Sequence, residues 1–334
     1  MQKRRTFIKQ AAIGSLALGS GLVSVVASEK HPGVVAGKRV GVIGLDTSHS
    51  TAFTDMFNAD APDPTLKGYR VVAAYPYGSR TIESSFERIA GYTEHVRKKG
   101  VEIVETITEL LEKVDVILLE TNDGRLHLEQ ALEVIAQRKP LFIDKPIAAS
   151  YADAKAIFDA AGRAHVPVFS SSSLRYTKNI ARVRAGLVGD VLGADTYSPA
   201  VIEPSHPDLF WYGIHGVEML YAAMGVGCER VSRLYTGGGD KVVGYWQGGR
   251  IGTFRGIRDG QRGYGGKAFG ASGIAELGPY DGYMLLLKEI ANFFDSGIAP
   301  VDAAETLEIA AFMEAAQLSK ERGGQFVDLD EVRG

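Results

Sequence analysis

The run Arg39-Val40-Gly41-Val42-Ile43-Gly44-Leu45 decides the fold, because it is apolar at its centre and then reaches a glycine. A short apolar run that ends at a glycine is typical of a buried strand. Further along, short apolar runs alternate with segments of helical periodicity as far as residue 143. Parallel strands need such helices as crossovers. We therefore predict an α/β fold that begins with a doubly wound parallel sheet over residues 38–150.

The second half of the chain has a different pattern. Residues 244–273 contain eleven glycines among short β-rich pieces, and Gly237-Gly238-Gly239-Asp240 just before them is a turn signal. Between residues 283 and 294, apolar residues recur at the spacing of a helix that faces a core. We predict a C-terminal α+β domain over residues 151–330, built on a largely antiparallel sheet.

The overall composition is that of an ordinary globular protein. Of the 334 residues, 45% are hydrophobic and 23% are charged, and the formal net charge is −3. This acidic balance argues against nucleic acid as a partner. Cys228 is the single cysteine, so an internal disulfide and a cysteine-based metal cage are both excluded.

The first 28 residues have the pattern of a targeting signal. Lys3-Arg4-Arg5-Thr6-Phe7-Ile8-Lys9 precedes a weakly apolar run of 17 residues, 11–27, and Val25-Val26-Ala27 offers small residues for cleavage. The pattern resembles the bacterial twin-arginine export signal, which implies the twin-arginine export machinery and a periplasmic protein. The alternative is a membrane-anchoring helix. Such a helix needs about 20 apolar residues, so we expect no stable membrane anchor.

The turn after the first strand is a modified phosphate-binding loop. A Rossmann dinucleotide loop places glycine at three positions, but the register Gly44-x-Asp46-x-x-His49 keeps only the first. Asp46, Thr47 and Ser48 are suited to cap the next helix, and Thr47 or Ser48 could donate to a phosphate at the N-terminus of that helix. The loop is compatible with a dinucleotide-binding Rossmann domain but does not establish one.

The segment after the second strand bears on the choice of dinucleotide. Rossmann domains that bind NAD usually present a carboxylate there, whereas this chain has Tyr75-Pro76-Tyr77-Gly78-Ser79-Arg80. Ser79 and Arg80 could hold a 2′-phosphate, which favours NADP over NAD. Equally, Arg80 could be an ordinary surface residue in a Pro/Gly turn.

A third motif, Ile143-Asp144-Lys145-Pro146, follows the fifth predicted strand. Together with the strand at 40–45, His127 and Arg175-Tyr176, it resembles the Gfo/Idh/MocA oxidoreductases, the relatives of glucose–fructose oxidoreductase and inositol dehydrogenase. The resemblance runs from residue 38 to about residue 327. It implies that Lys145 is a catalytic lysine, with Asp144 in place of the family's glutamate. It also implies a nicotinamide cofactor close to Thr121, Asn122, His127, Asp144 and Lys145.

The second half carries a counterpart of the family's Asp-x-Gly-x-His-x-x-Asp stretch, namely Trp211-Tyr212-Gly213-Ile214-His215-Gly216-Val217-Glu218. The resemblance implies that His215 is the acid–base histidine and Glu218 the later carboxylate, whereas Trp211 replaces the first aspartate. The flat rings of Trp211 and Tyr212 suit a sugar ring. The substrate residues implied in this way are Arg175, Tyr176, Trp211, Tyr212 and Glu218.

These motifs lead to one expected function and two alternatives. The expected function is NAD(P)-dependent oxidation or reduction of a secondary alcohol on a sugar or cyclitol, in a homo-oligomer, with Lys145 and His215 as the catalytic pair. The first alternative is an NAD-assisted glycosidase or lyase. The second is a non-redox relative, either metal-dependent or sugar-binding, that has lost the cofactor. Its metal donors would be His206, Asp208, His215 and Glu218.

Overall fold

The computed structural model describes residues 38–334. Six strands form the first sheet: β1 (Arg39–Ile43), β2 (Arg70–Tyr75), β3 (Glu102–Ile103), β4 (Val116–Leu119), β5 (Leu141–Asp144) and β6 (Val168–Ser171). All pairs are parallel, and the order is β3-β2-β1-β4-β5-β6. This is the strand order of a dinucleotide-binding Rossmann sheet, with its switch point between β1 and β4. The predicted parallel sheet is confirmed.

Crossover helices connect these strands: α1 (Ser48–Phe57), α2 (Glu83–Lys98), α3 (Ile107–Lys113), α4 (His127–Ala136) and α5 (Tyr151–Ala164). Several begin at side chains that cap free backbone N–H groups. Thr106 accepts from the backbone N–H of Glu109, and Ser150 accepts from that of Asp153. These caps fix where the helices begin and therefore where the preceding loops, which carry the site, must end.

Seven strands form the second sheet: β7 (Val191–Pro199), β8 (Cys228–Thr236), β9 (Gly239–Trp246), β10 (Arg250–Ile257), β11 (Gly265–Gly270), β12 (Gly273–Glu276) and β13 (Val327–Asp328). Their order is β12-β11-β7-β10-β9-β8-β13. The pair β7–β10 is parallel and the other pairs are antiparallel. The predicted α+β half with a largely antiparallel sheet is confirmed, including the turn between β8 and β9.

Five helices accompany this half of the chain: α6 (Lys178–Arg184), α7 (Ile214–Met224), α8 (Met284–Ser296), α9 (Ala303–Glu321) and α10 (Leu329–Arg333). Helix α7 is buried along its whole length, since it lies between β7 and the other helices. It therefore carries the motif around residue 215 into the interior of the molecule.

Helix α8 returns to the first sheet. The ring of Phe293 packs on Phe169 of β6 at 4.7 Å, and the ring of Phe294 packs near Tyr69 at 5.5 Å. The first sheet thus includes β6, beyond residue 150, and a helix from the far end of the chain completes its core. The apolar residues between 283 and 294, whose spacing predicted a helix that faces a core, form this contact.

No helix within residues 38–334 combines the length and the apolar character needed to cross a bilayer. The predicted twin-arginine signal, residues 1–28, lies outside the described residues.

Candidate active site

A cavity of about 460 Å³ opens over the carboxyl edge of the first sheet. Its wall includes Thr47, Ser48 and His49 at the start of α1, Asn122 after β4 and Lys145 after β5. Because these positions flank the switch point of the sheet, the cavity lies where Rossmann folds bind ligands. We call it the central cavity.

One carboxylate organises the charged wall of the central cavity. Asp144 Oδ2 lies 2.8 Å from His49 Nδ1 and 3.0 Å from Lys145 Nζ. Burial opposes the ionisation of Asp144, but the neighbouring His49 and Lys145 outweigh it and hold the pKa of this carboxyl below its usual value. Asp144 therefore fixes the lysine and the histidine side by side.

A second carboxylate, Glu120, lies directly beneath this group. It follows the last residue of β4, is 0% exposed, and neither of its oxygens has a hydrogen-bond partner within the described residues. Burial and the negative charge of Asp144 raise the pKa of Glu120 well above its ordinary value. Donor atoms of His49, Glu120 and Asp144 all lie within 4.8 Å of one another.

His215 forms the opposite wall. Its Nδ1 lies 2.8 Å from Ser172 Oγ, and its ring packs against Tyr212 and Tyr264, with centroids 5.2 and 5.9 Å away. Burial, followed by the charges of Lys145 and His49, holds the pKa of His215 well below its usual value. The imidazole is therefore neutral near pH 7 and can accept a proton.

Aromatic side chains complete the wall of the central cavity. Trp211 and Tyr212 lie there. The hydroxyls of Tyr264 and Tyr212 are 3.3 Å apart, and Tyr280 and Tyr283 pack edge to face at 5.9 Å. Flat rings joined to hydroxyl and imidazole groups suit a polyhydroxylated ring, whose faces are apolar and whose edges are polar.

Asp46 occupies a different position from the one the loop register suggested. It does not cap α1, since Thr47 is the N-cap. Instead its carboxylate is 0% exposed and accepts from the backbone N–H groups of Ser79 and Asn122, at 2.9 and 3.0 Å. Burial raises the pKa of Asp46 to about 6, although both hydrogen bonds oppose that rise. The side chain thus ties together the loops after β1, β2 and β4.

A third hydrogen bond joins the loops after β2 and β4 directly. Ser79 Oγ donates to Asp123 Oδ2 at 2.9 Å. Hydrogen bonds from Arg125, His206 and Ser79 outweigh burial and keep the pKa of Asp123 below its usual value. We call Asp46, Ser79, Asn122 and Asp123 the loop bridge.

Beyond the loop bridge lies a groove of about 530 Å³, which we call the second groove. Tyr75, Tyr77 and Arg80 line it on the β2 side, and Arg125 and Glu129 line it on the β4 side. A dinucleotide on a Rossmann sheet places its adenosine near the end of β2, so the second groove is where that half belongs. Arg80 is exposed there, over the ring of Tyr77.

The remaining predicted cofactor residues support the loops from within. Gly44 has φ +88°, and a Cβ atom there would lie 2.5 Å from the backbone nitrogen of Thr121, so glycine is required. His127 bridges the carbonyls of Thr121 and Pro146 at 2.6 and 3.0 Å. It therefore positions the loops that carry Asn122 and Lys145 and does not itself face the cavity.

The predicted roles of Arg175, Tyr176 and Glu218 need correction, whereas that of Ser79 stays a prediction. Ser79 donates its hydroxyl to Asp123 in this structure, so it would reach a 2′-phosphate only after that hydrogen bond opens. Arg175 is buried and bonds Glu218 at 2.8 Å, and Tyr176 packs against the core of the first sheet. These last three residues stabilise the junction beneath the site instead of binding substrate, because a buried arginine between carboxylates is satisfied internally.

The predicted metal donors do not converge either. His206 lies 3.2 Å from Asp123, Asp208 pairs with Arg233 at 2.7 Å, and Glu218 pairs with Arg175. Each donor faces a different partner: His206 lies in a loop, Asp208 precedes the π-helical turn Leu209–Gly213, and Glu218 lies on α7. That set is therefore wrong as a metal site.

Two groups of site residues escaped prediction. Glu120 directly follows the apolar strand β4, and a carboxylate at the end of a buried run was the available signal. The tyrosines at 264, 280 and 283 lie in loops of the second half, where only the tertiary fold brings them to the cavity. In the cavity wall they join the predicted residues Lys145, His215, Trp211 and Tyr212.

Comparisons with known proteins agree with this geometry. The model of the Gfo/Idh/MocA family, an oxidoreductase family with an NAD-binding Rossmann fold, matches residues 38–172. No curated protein matches the sequence.

Among solved structures, scyllo-inositol dehydrogenase from Lactobacillus casei, with bound NAD(H) and scyllo-inositol, is 13% identical with a TM-score of 0.70 over 89% of this chain and 99% of that one. Myo-inositol dehydrogenase from Lactobacillus casei, in complex with NAD(H) and myo-inositol, is 18% identical with a TM-score of 0.68 over 88% of this chain and 96% of that one. At these identities the likeness concerns the fold. Residues 38–172 therefore match the NAD-binding Rossmann fold of the Gfo/Idh/MocA oxidoreductase family, and the solved structures show a similar fold over most of the chain.

Proposed function

We propose that this protein is a nicotinamide-dependent dehydrogenase that acts on a secondary alcohol of a sugar or cyclitol. One observation carries the proposal: Lys145 and His215 face a single aromatic cavity at the switch point of a Rossmann sheet. A lysine and a neutral histidine beside the ligand position of such a sheet are suited to move a proton during alcohol oxidation. The inositol bound in the two similar dehydrogenases supports the substrate class.

The residues fit the dinucleotide at its two ends. The central cavity has room for a nicotinamide and a sugar ring, and the second groove has room for an adenosine. Thr47, Ser48 and the start of α1 would hold the phosphates. The loop bridge lies between the two ends, so the Ser79–Asp123 hydrogen bond has to open when a dinucleotide binds. The bound nicotinamide would supply the hydride acceptor or donor.

The proton chemistry belongs to the chain itself. Lys145 Nζ, held by Asp144, would donate a hydrogen bond to the reacting oxygen and stabilise negative charge on it. His215 has its Nδ1 engaged by Ser172, which leaves Nε2 to accept the hydroxyl proton. The rings of Trp211 and Tyr212 would orient the sugar by covering its apolar face.

The decisive experiment measures nucleotide binding. We expect NAD⁺ or NADP⁺ to raise the melting temperature of the purified protein, since a ligand that binds the native state stabilises it. Arg80 and Arg125 in the second groove favour the 2′-phosphate of NADP, and parallel titrations with both nucleotides test that preference. If neither nucleotide shifts the melting temperature, the dehydrogenase proposal fails.

The loop bridge favours a second candidate, a non-redox function of the same cavity. A closed bridge separates the central cavity from the second groove and would suit a sugar-binding protein or a lyase. This candidate predicts that sugars or cyclitols raise the melting temperature without nucleotide, and that soaked or co-crystallised NAD is absent from both sites. A dehydrogenase predicts the reverse for NAD.

Location and assembly form part of the proposal. Arg4 and Arg5 support export to the periplasm, and changing both to lysine should retain the protein in the cytoplasm on cell fractionation. The outer face of the second sheet exposes Tyr197, Ile251 and Ile274, and an exposed apolar face supports self-association. Light scattering of the purified chain tests whether a homo-oligomer forms.

A further inference from the structure

We propose that His49, Glu120 and Asp144 bind a divalent transition-metal ion at the base of the central cavity. The site goes beyond the proposed dehydrogenase function and does not depend on nucleotide binding. Its ligands would be one imidazole nitrogen and two carboxylates, a donor set that suits Zn²⁺, Mn²⁺ or Co²⁺ better than Mg²⁺.

The first argument is convergence. The donor atoms of the three side chains lie within 4.8 Å of one another, although they come from the start of α1, the end of β4 and the end of β5. Ligands on one such ion lie about 2.0–2.2 Å from it, and therefore about 3–4 Å from each other. Side-chain adjustments of roughly 1 Å or less would close the site.

The second argument is the isolation of Glu120. Its side chain is fully buried, and both carboxylate oxygens lack a partner within the described residues, as does Asp144 Oδ1. Leaving a buried carboxylate without a partner is costly. Lys145 and His49 both approach Asp144, so neither satisfies Glu120. A cation at this point would satisfy Glu120 and the free oxygen of Asp144 together.

The third argument concerns His49. In the Rossmann loop its position belongs to a glycine that allows close helix–strand packing, yet here an imidazole enters the space and reaches Asp144 at 2.8 Å. A cation between the two groups would replace the proton that now joins Nδ1 to Oδ2. Because His49 lines the central cavity, an open coordination position would face the substrate, where vicinal hydroxyls of a polyol could complete the sphere.

The experiment uses the full purified chain, prepared with a tag that does not bind metals. After chelation and dialysis, we expect Co²⁺ to bind with a stoichiometry of one per chain and to give visible d–d absorption, and Zn²⁺ to displace it. Glu120→Gln and His49→Gln should weaken Co²⁺ binding about a hundredfold or more, since even outer-shell substitutions cost 10–100-fold. Nucleotide-induced melting shifts are recorded separately, so that failure of this site and failure of the dehydrogenase proposal can be told apart.

The matched control is His95→Gln. His95 also lies 2.9 Å from a carboxylate, that of Asp55, but both side chains are about 40% exposed. Among the described residues, no third His, Cys, Asp or Glu side chain converges on this pair. This variant should bind Co²⁺ like the wild type. The proposal is overturned if wild-type protein shows no saturable Co²⁺ spectrum, which would mean that a proton alone satisfies Glu120, or if all variants bind equally. The wild-type titration decides the matter even if a buried variant fails to fold.

Discussion

The central cavity and the second groove have similar volumes but are lined by different kinds of side chain. The cavity gathers Lys145, His215 and several aromatic side chains in its wall. The groove has two exposed arginines and acidic neighbours at its rim. Between them, the loop bridge ties three loops together with buried hydrogen bonds.

The loop bridge therefore separates the residues proposed for proton transfer from those proposed for adenosine binding. Under the proposed function, the groups that would move a proton lie on one side of the bridge, whereas the groups that would recognise an adenosine lie on the other. A dinucleotide would have to cover both at once, so the state of the bridge decides whether the two halves act as one site. The following predictions test that view from the larger expected effect to the smaller.

Removing the Lys145 side chain should reduce catalysis in the central cavity without affecting the second groove. Lys145→Ala should lower kcat by about 10²- to 10⁴-fold, the usual contribution of a positioned acid–base group, while nucleotide affinity changes little. Steady-state rates on a panel of sugars and cyclitols measure the effect. The exposed Lys155, which pairs with Asp159 on α5, provides the control, and Lys155→Ala should leave the rates unchanged. Equal losses in both variants would contradict the assignment of Lys145.

A methyl group should disturb the bridge directly. A Cβ atom on Gly78 would lie 2.1 Å from Asp46 Oδ2, so Gly78→Ala should lower the free energy of unfolding by about 1–3 kcal/mol. Urea denaturation measures this. The loss should largely disappear in an Asp46→Gly background, because the clashing carboxylate is gone. Gly91→Ala, in open space on α2, is the control.

Opening the bridge should join the two sites. At about pH 7.5 nearly all Asp46 is ionised, given its pKa of about 6. If the dinucleotide binds only to the neutral form, Asp46→Gly should tighten NAD affinity about 30-fold at that pH. Isothermal titration measures the affinity. An unchanged dissociation constant would show that the carboxylate is no obstacle.

Acidification should imitate that substitution in the wild type. Lowering the pH from about 7.5 to 5.5 protonates most of Asp46 and should tighten NAD binding about 25-fold, with a flat profile in Asp46→Gly. The same raised pKa means that the contribution of Asp46 to folding stability is complete below about pH 4 and is lost as the pH rises through 6. Titrations at several pH values, with both proteins, separate Asp46 from other groups.

The sequence predicted the architecture better than the contacts. The parallel sheet followed from apolar runs with helices between them, and the glycine at 44 marked the tight turn after the first strand. Those features are local in sequence. The motif at 143–146 and the stretch at 211–218 pointed to Lys145, His215, Trp211 and Tyr212, which the fold brings to one cavity.

The errors arose where a side chain had more than one choice of partner. Arg175 and Glu218 look like ligand-binding groups in a linear motif, but they neutralise each other inside the protein. Asp46 was expected near the helix terminus, yet two backbone N–H groups from distant loops attract it more strongly. Neither outcome is encoded in neighbouring residues, since both depend on loops that meet only after folding.

The return of α8 to the first sheet has a practical consequence for dissecting the molecule. A fragment that stops at residue 172 would lack Phe293 and Phe294 and would leave Phe169 and Tyr69 open to water. Such a fragment should aggregate when expressed alone, because its hydrophobic face has lost its cover. A circular permutant that places α8 ahead of β1 keeps that cover, and is the better starting point for isolating the half that contains the first sheet.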